Sequence, residues 1–180
     1  MAQPKSLGPD QIAAAIARLA EGISHQHPGG ESVILLGIAN GGIELARRLA
    51  TRLKIKRVGT LDISFHRDDI GRNPIPKEFS PTVIPWDVQG ATVILVDDVL
   101  FSGRTVKAAL DELFDHGRPA KVELAVLVDR GGRMLPMAAD YTGITLDSVG
   151  KDKVVVNLDA DDRSADAVSI VAAKPKLVSR

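Results

Sequence analysis

The chain has 180 residues, of which 44% are hydrophobic and 26% charged, and its 23 basic residues balance 23 acidic ones. Size and mix predict one soluble globular domain spanning residues 1–180 with a single core. The absence of cysteine excludes disulfides and thiolate zinc sites, and a neutral total gives no global attraction to nucleic acid while leaving room for a local basic patch.

Met1–Gly8 lacks an apolar stretch of the secretory kind, and the longest apolar runs, such as Val33–Leu36 and Val93–Val96, are too short to cross a bilayer. A cytoplasmic location without membrane contact is expected. Pro9 opens a helix whose apolar residues Ile12, Ile16, Leu19 and Ile23 recur at helical spacing, ending near His25–Gly30. Val33–Ala39 reads as a buried strand, and Asn40-Gly41-Gly42 turns the chain into a helix over Ile43–Lys54. Val58–Phe65 fits another strand.

Arg67–Gly90 carries four prolines and no sustained period, which predicts a long excursion or hairpin over one end of the sheet. Strand Thr92–Val96 follows, then a loop, a helix over Arg104–His116, and apolar strands at Val122–Val128 and Val154–Leu158. The acidic stretch Asp159–Asp166 reads as solvated, and the tail after Ile170 as flexible. Alternating strands and helices imply an α/β domain with a mostly parallel sheet flanked by helices. Ligands of such sheets bind beyond the carboxyl ends of the strands, which directs attention to Asn40–Gly42, Asp97–Thr105 and Asp129–Arg133.

The segment richest in chemistry is Val93-Ile-Leu-Val-Asp-Asp-Val-Leu-Phe-Ser-Gly-Arg-Thr105. A strand delivers the adjacent carboxylates Asp97 and Asp98, which suit the hydroxyls of a ribose diol. Gly103 lets the backbone approach a phosphate. The N–H groups of the next helix start, with the Ser102 and Thr105 hydroxyls, offer donors to its oxygens. Arg104 either adds charge there or points outward. An acid pair alone is also a common helix cap or solvated turn; the full order of strand, acids, small-residue loop and helix is far more specific.

That order resembles the phosphoribosyl diphosphate signature of type I phosphoribosyltransferases. Val96–Thr105, Gly117-Arg-Pro119, Leu124–Gly131, Leu135-Pro136 and Ala139-Asp-Tyr141 follow one another as in the PyrR family of pyrimidine-operon regulators and uracil phosphoribosyltransferases. Gly37-Ile38, Gly42-Ile43 and Asp62-Ile63 through Arg67-Asp-Asp69 extend the resemblance, which covers about Ser32 to Leu158. It implies a type I phosphoribosyltransferase fold in which Arg67–Gly90 is the flexible loop and hood hairpin.

The implied reaction joins uracil to phosphoribosyl diphosphate, giving UMP and pyrophosphate, with Mg2+ carried by the diphosphate near Asp97 and Asp98 rather than held by direct protein ligands. By the resemblance, Asp97 and Asp98 position the ribose, and Phe101, Ser102, Gly103, Arg104 and Thr105 hold the 5′-phosphate. Arg67 or Arg72 closes over the pyrophosphate, Ala39, Asn40 and Gly41 form the pyrophosphate loop, and Val99, Asp129 and Arg130 lie near the base. Phe101, where purine-using relatives carry an acid, favours a pyrimidine; it is either a base contact or a loop anchor. A homodimer or higher homo-oligomer is also implied.

Two departures from the family pattern stand out. Asn40-Gly41 replaces a usual Thr-Arg, removing a cation beside the pyrophosphate; a charge-assisted hydrogen bond contributes about 1.5–3 kcal/mol. The glycines fit either that loop or a tight turn, and Gly37-Ile-Ala-Asn-Gly-Gly42 does not reproduce a dinucleotide-binding fingerprint. On the face that grips RNA in the regulators, Arg133 remains, while Gly132, Ala138 and Ile144 replace His, Arg and Lys. Arg47, Arg48, Arg52, Lys54, Lys56 and Arg57 cluster elsewhere, as either a solvated helix face or a nucleic-acid patch. Regulated RNA binding without strong catalysis is the alternative function, and loss of both activities, with a protein partner instead, is a third. Trp86 packs the hood or a subunit contact. His25, His27, His66 and His116 share no metal-ligand spacing and are placed at the surface or in loops.

Overall fold

A computed structural model describes residues 6–30, 32–66, 81–146, 150 and 152–172. In chain order the elements are β1 (Ser6–Leu7), α1 (Pro9–Gln26), β2 (Val33–Ile38), α2 (Gly41–Leu53), β3 (Val58–Leu61), β4 (Thr92–Leu100), α3 (Arg104–Asp115), β5 (Lys121–Asp129), β6 (Tyr141–Thr145), β7 (Lys153–Asn157), a 3-10 turn at Arg163–Ala165, and β8 (Ala167–Val171). Five strands form a parallel sheet in the order β3-β2-β4-β5-β6. The α/β architecture is the one expected.

The apolar periodicity of α1 and α2 buries Ile12, Leu19, Ile23, Leu45 and Leu49 on one face of the sheet. The other face is covered by Val106, Ala109 and Leu113 of α3, together with Ile84, Trp86 and Val88. Strands enclosed on both sides need apolar residues throughout, and β2 is buried along its whole length.

Several expectations are corrected. Within the excursion, Ile84, Trp86 and Val88 pack on the sheet face because they are apolar, while 67–80 lie outside the described residues. β3 stops at Leu61: the Asp62 carboxylate accepts hydrogen bonds from the Ser64 N–H and hydroxyl, curling the chain before Phe65. β4 runs on to Leu100, since β5 continues beside it and pairs Leu100 with Asp129. Asp97 and Asp98 are therefore inside the strand.

The chain ends form a second, antiparallel sheet, β1-β8-β7. The acidic stretch that leads into β8 is not uniformly solvated. Asp166 is 5% exposed and pairs with Arg48, itself 8% exposed, whose guanidinium also donates to the Asp159 carbonyl and the Glu44 carboxylate. A buried charge persists only when paired and hydrogen-bonded, so this cluster ties α2 to the second sheet. Arg48 thereby leaves the basic patch. β8 reaches Val171, and 173–180 lie outside the described residues.

Candidate phosphoribosyl site

β2 connects outward to β3 while its neighbour β4 connects to β5 on the other side, so the connections from these two carboxyl ends run in opposite directions. Such a switch point opens a crevice, here between the residues following β2 and those ending β4. Two glycines set how closely its walls approach. A Cβ on Gly42 would lie 1.9 Å from the Val96 carbonyl oxygen, and one on Gly37 would lie 2.8 Å from the Gly42 oxygen. These contacts, rather than a turn requirement, demand glycine; the paired Gly signal was visible in the sequence, its cause was not.

Ala39, Asn40 and Gly41 cross the crevice floor, and the Ala39–Asn40 peptide is cis. Asn40 caps α2 without a side-chain hydrogen bond. The Asp98 carboxylate lies against Gly41, where a built Cβ would be 2.5 Å away. Asn40, Gly41, Glu44 and Asp98 line a cavity of about 210 Å³ closed by Val156, Asn157 and Leu158. The covering wall is thus β7 of the terminal sheet, which sequence reasoning identified as a strand but not as part of the site.

Asp97 is buried, and its carboxylate accepts the Asp98 N–H at 3.0 Å. Burial pushes the Asp97 carboxyl well above the ordinary range, and the neighbouring Asp98 charge adds to the shift. Burial also raises Asp98, partly offset by hydrogen bonding from the Val99 N–H and by the charge of Lys153. Two adjacent acids held this way are poised to receive hydroxyl donors and a cation, which would restore the solvation both have lost. That donor set suits Mg2+ carried by a diphosphate.

Beyond Asp98, the loop Phe101–Gly103 leads into α3. Gly103 caps the helix at φ +90°, a conformation that favours glycine, and it brings no side-chain cap. The Ser102 hydroxyl accepts the Arg104 N–H at 3.3 Å, while Arg104 and Thr105 are exposed in the first turn. Helix-start donors around a small, open loop form an anion cradle.

The cradle is braced from behind. The Ser102 carbonyl accepts the Met134 and Leu135 N–H groups, both at 3.0 Å. Arg133 donates to the Leu100, Phe101 and Met137 carbonyls and to the Asp129 carboxylate. Its guanidinium braces the loop, a role that the sequence did not reveal. Asp129 also accepts the Gly131 N–H at 2.9 Å, so both carboxylate oxygens of this expected base neighbour are engaged.

Arg130 lies over the Phe101 ring, 4.1 Å from its centroid, and donates to the Gly150 carbonyl. Among the described residues its Nε is buried without a hydrogen-bond partner. Gly132 closes against the same ring, where a Cβ would sit 2.6 Å from it, so a side chain has no room. Phe101 is anchored yet remains 37% exposed. Val99 packs against the core beside it. Arg67 and Arg72 lie outside the described residues.

The phosphoribosyl transferase domain family model matches residues 8–163. The Bifunctional protein PyrR of Streptomyces coelicolor is 48% identical over 180 residues, covering 97% of this chain and 91% of its own length. Its counterpart in Roseiflexus sp. is 45% identical over 177 residues, covering 95% and 96%. Among solved structures, a hypoxanthine-guanine phosphoribosyltransferase from Bacillus anthracis matches with a TM-score of 0.66 at 20% identity, covering 95% of this chain and all of that one, a likeness of fold.

Proposed function

Because the chain belongs to the phosphoribosyl transferase domain family, and within it to the PyrR proteins, we propose that it transfers the phosphoribosyl group of phosphoribosyl diphosphate to uracil. The observation that carries this reading is the continuous wall from Asn40-Gly41, through Asp97-Asp98, to the Ser102–Thr105 cradle. In the reaction the N1–C1′ bond forms as the C1′–O bond to pyrophosphate breaks. The electron pair leaves with pyrophosphate, and the N1 proton passes to the medium.

Asp97 and Asp98 accept the ribose hydroxyls and balance the positive character that develops at C1′. The start of α3 holds the 5′-phosphate, fixing the distance between sugar and base. Backbone donors at Asn40-Gly41 face the diphosphate; Arg67 and Arg72 are proposed to close over it. Phe101, stiffened by Arg130, offers an apolar surface to a flat pyrimidine, with Asp129 positioning that edge through Arg133. When bound, Mg2+ supplies charge compensation to the leaving diphosphate beside Asp97 and Asp98.

Magnesium-dependent pyrophosphate release with uracil as acceptor tests the reading. It is expected from the native chain and abolished in Asp97→Asn/Asp98→Asn. Equal release from both proteins would overturn it.

Regulated RNA binding is a second reading, favoured by one observation. Arg47, Arg52, Lys54, Lys56 and Arg57 are all exposed on the end of α2 and the segment after it. Nucleotide-dependent RNA affinity that falls steeply with salt is its expected signature. Homo-oligomerisation is part of the same proposal.

A further inference from the structure

His66 ends the curled segment after β3, fifty positions in sequence from His116 at the close of α3. The fold brings both to one carboxylate. His66 Nε2 is 3.1 Å from Glu112 Oε2 and 3.3 Å from Asp115 Oδ2. His116 Nε2 lies 3.2 Å from the other oxygen, Glu112 Oε1. Helical spacing explains half of this: Glu112, Asp115 and His116 stand at i, i+3 and i+4 on one face of α3.

We propose that His66, Glu112 and Asp115 form a binding site for a borderline transition-metal dication of the zinc type, separate from the phosphoribosyl crevice. One ligand atom from each residue lies within 4.8 Å of the others. A tetrahedral zinc with bonds of about 2.0–2.2 Å separates its ligand atoms by roughly 3.3–3.6 Å, close to the two distances from His66. One imidazole and two carboxylates, with open positions for water, match that class of ion in donor type.

Glu112 is also oriented in advance. The Thr82 hydroxyl donates to its Oε1 at 2.6 Å, on the same oxygen that faces His116, while the Asp62 N–H donates to the Thr82 oxygen at 2.9 Å. Oε2 is thereby left turned toward His66. Such support around a ligand fixes its direction and strengthens metal binding. Asp115 is 70% exposed, giving an ion a route from solvent. A metal here would fasten the segment after β3 to α3.

The test titrates Zn2+ alone, by calorimetry, into tag-free full-length Asp97→Asn/Asp98→Asn protein without phosphoribosyl diphosphate, which removes the crevice acids from the count. One saturable Zn2+ per chain is expected, with a rise in unfolding temperature. Affinity should fall at least tenfold in both His66→Gln and Asp115→Asn added to that background. Each variant's unfolding without metal verifies that it is folded; should His66→Gln fail to fold, the exposed Asp115→Asn decides alone. Absence of saturable binding, or parent-like affinity in a folded variant of either kind, would overturn the site and leave His66 as a hydrogen-bonding neighbour of the two carboxylates.

Discussion

The Asp98 carboxylate occupies the space that a side chain at position 41 would need: a Cβ on Gly41 would lie 2.5 Å from it. A side chain at position 41 and the inward carboxylate of Asp98 therefore compete for one space. Replacing the glycine adds a cation and displaces Asp98 together, and the two effects can be separated. Gly41→Ala isolates the displacement and is expected to lower kcat/KM about tenfold, a loss of about 1.4 kcal/mol. Gly41→Arg should exceed Gly41→Ala about tenfold or more, as a restored charge-assisted contact to the diphosphate requires. Steady-state kinetics of the two variants check this; equal rates would contradict a limiting missing cation.

In the proposed reaction Asp97 trades stability for binding. Its folded-state pKa lies above the unfolded value because burial opposes ionisation. The folded chain consequently binds a proton more tightly than the unfolded one, and stability declines as pH rises from the unfolded pKa through the raised folded one. Asp97→Asn, which never ionises, should raise the unfolding temperature of the ligand-free protein at neutral pH by a few degrees, given about 2–4 °C per kcal/mol at this size. The gain should vanish near pH 3, below both the unfolded and the raised folded value, and phosphoribosyl diphosphate affinity should fall. Thermal unfolding across pH measures the first effect and calorimetric titration the second.

The Arg48–Asp166 pair holds the terminal sheet, and with it the β7 wall of the crevice, against α2. Arg48→Met leaves a buried carboxylate without its partner and should destabilise the fold by about 3–5 kcal/mol in urea unfolding. Arg48→Met/Asp166→Leu should recover most of that loss, because no uncompensated charge remains.

Arg133 braces the proposed phosphate cradle through the Leu100 and Phe101 carbonyls. Arg133→Ala is expected to raise KM for phosphoribosyl diphosphate several-fold, with a smaller change in kcat, since the cradle binds rather than reacts. RNA affinity should change less than on replacement of the exposed Arg52 and Lys56, which filter binding at two salt concentrations would compare.

Much of this was legible in the sequence for local reasons. Pro9 and the apolar period after it placed the start of α1, the expected helix over Arg104–His116 matches α3 to within a residue, and the acid pair with its small-residue loop pointed to the crevice because strand, loop and helix start are contiguous. What was hidden depends on distant pairings. β1 has two residues and acquires meaning only opposite β8. Arg48 reads as one more cation on a charged helix until Asp166, 118 positions away, is placed beside it. The extension of β4 through Asp97 and Asp98 was masked by their polarity; pairing with β5 overrides it. His66 and His116 lacked metal spacing in sequence, yet they share Glu112 in space.

Product identification tests phosphoribosyl transfer to uracil. The native chain is supplied with Mg2+, phosphoribosyl diphosphate and, in turn, uracil, orotate and guanine, with nucleotide and pyrophosphate both quantified. UMP and pyrophosphate in equal amounts are expected with uracil, little product from the other bases, and none from Asp97→Asn/Asp98→Asn. Failure to form UMP above that double variant, or faster turnover of guanine, would contradict it.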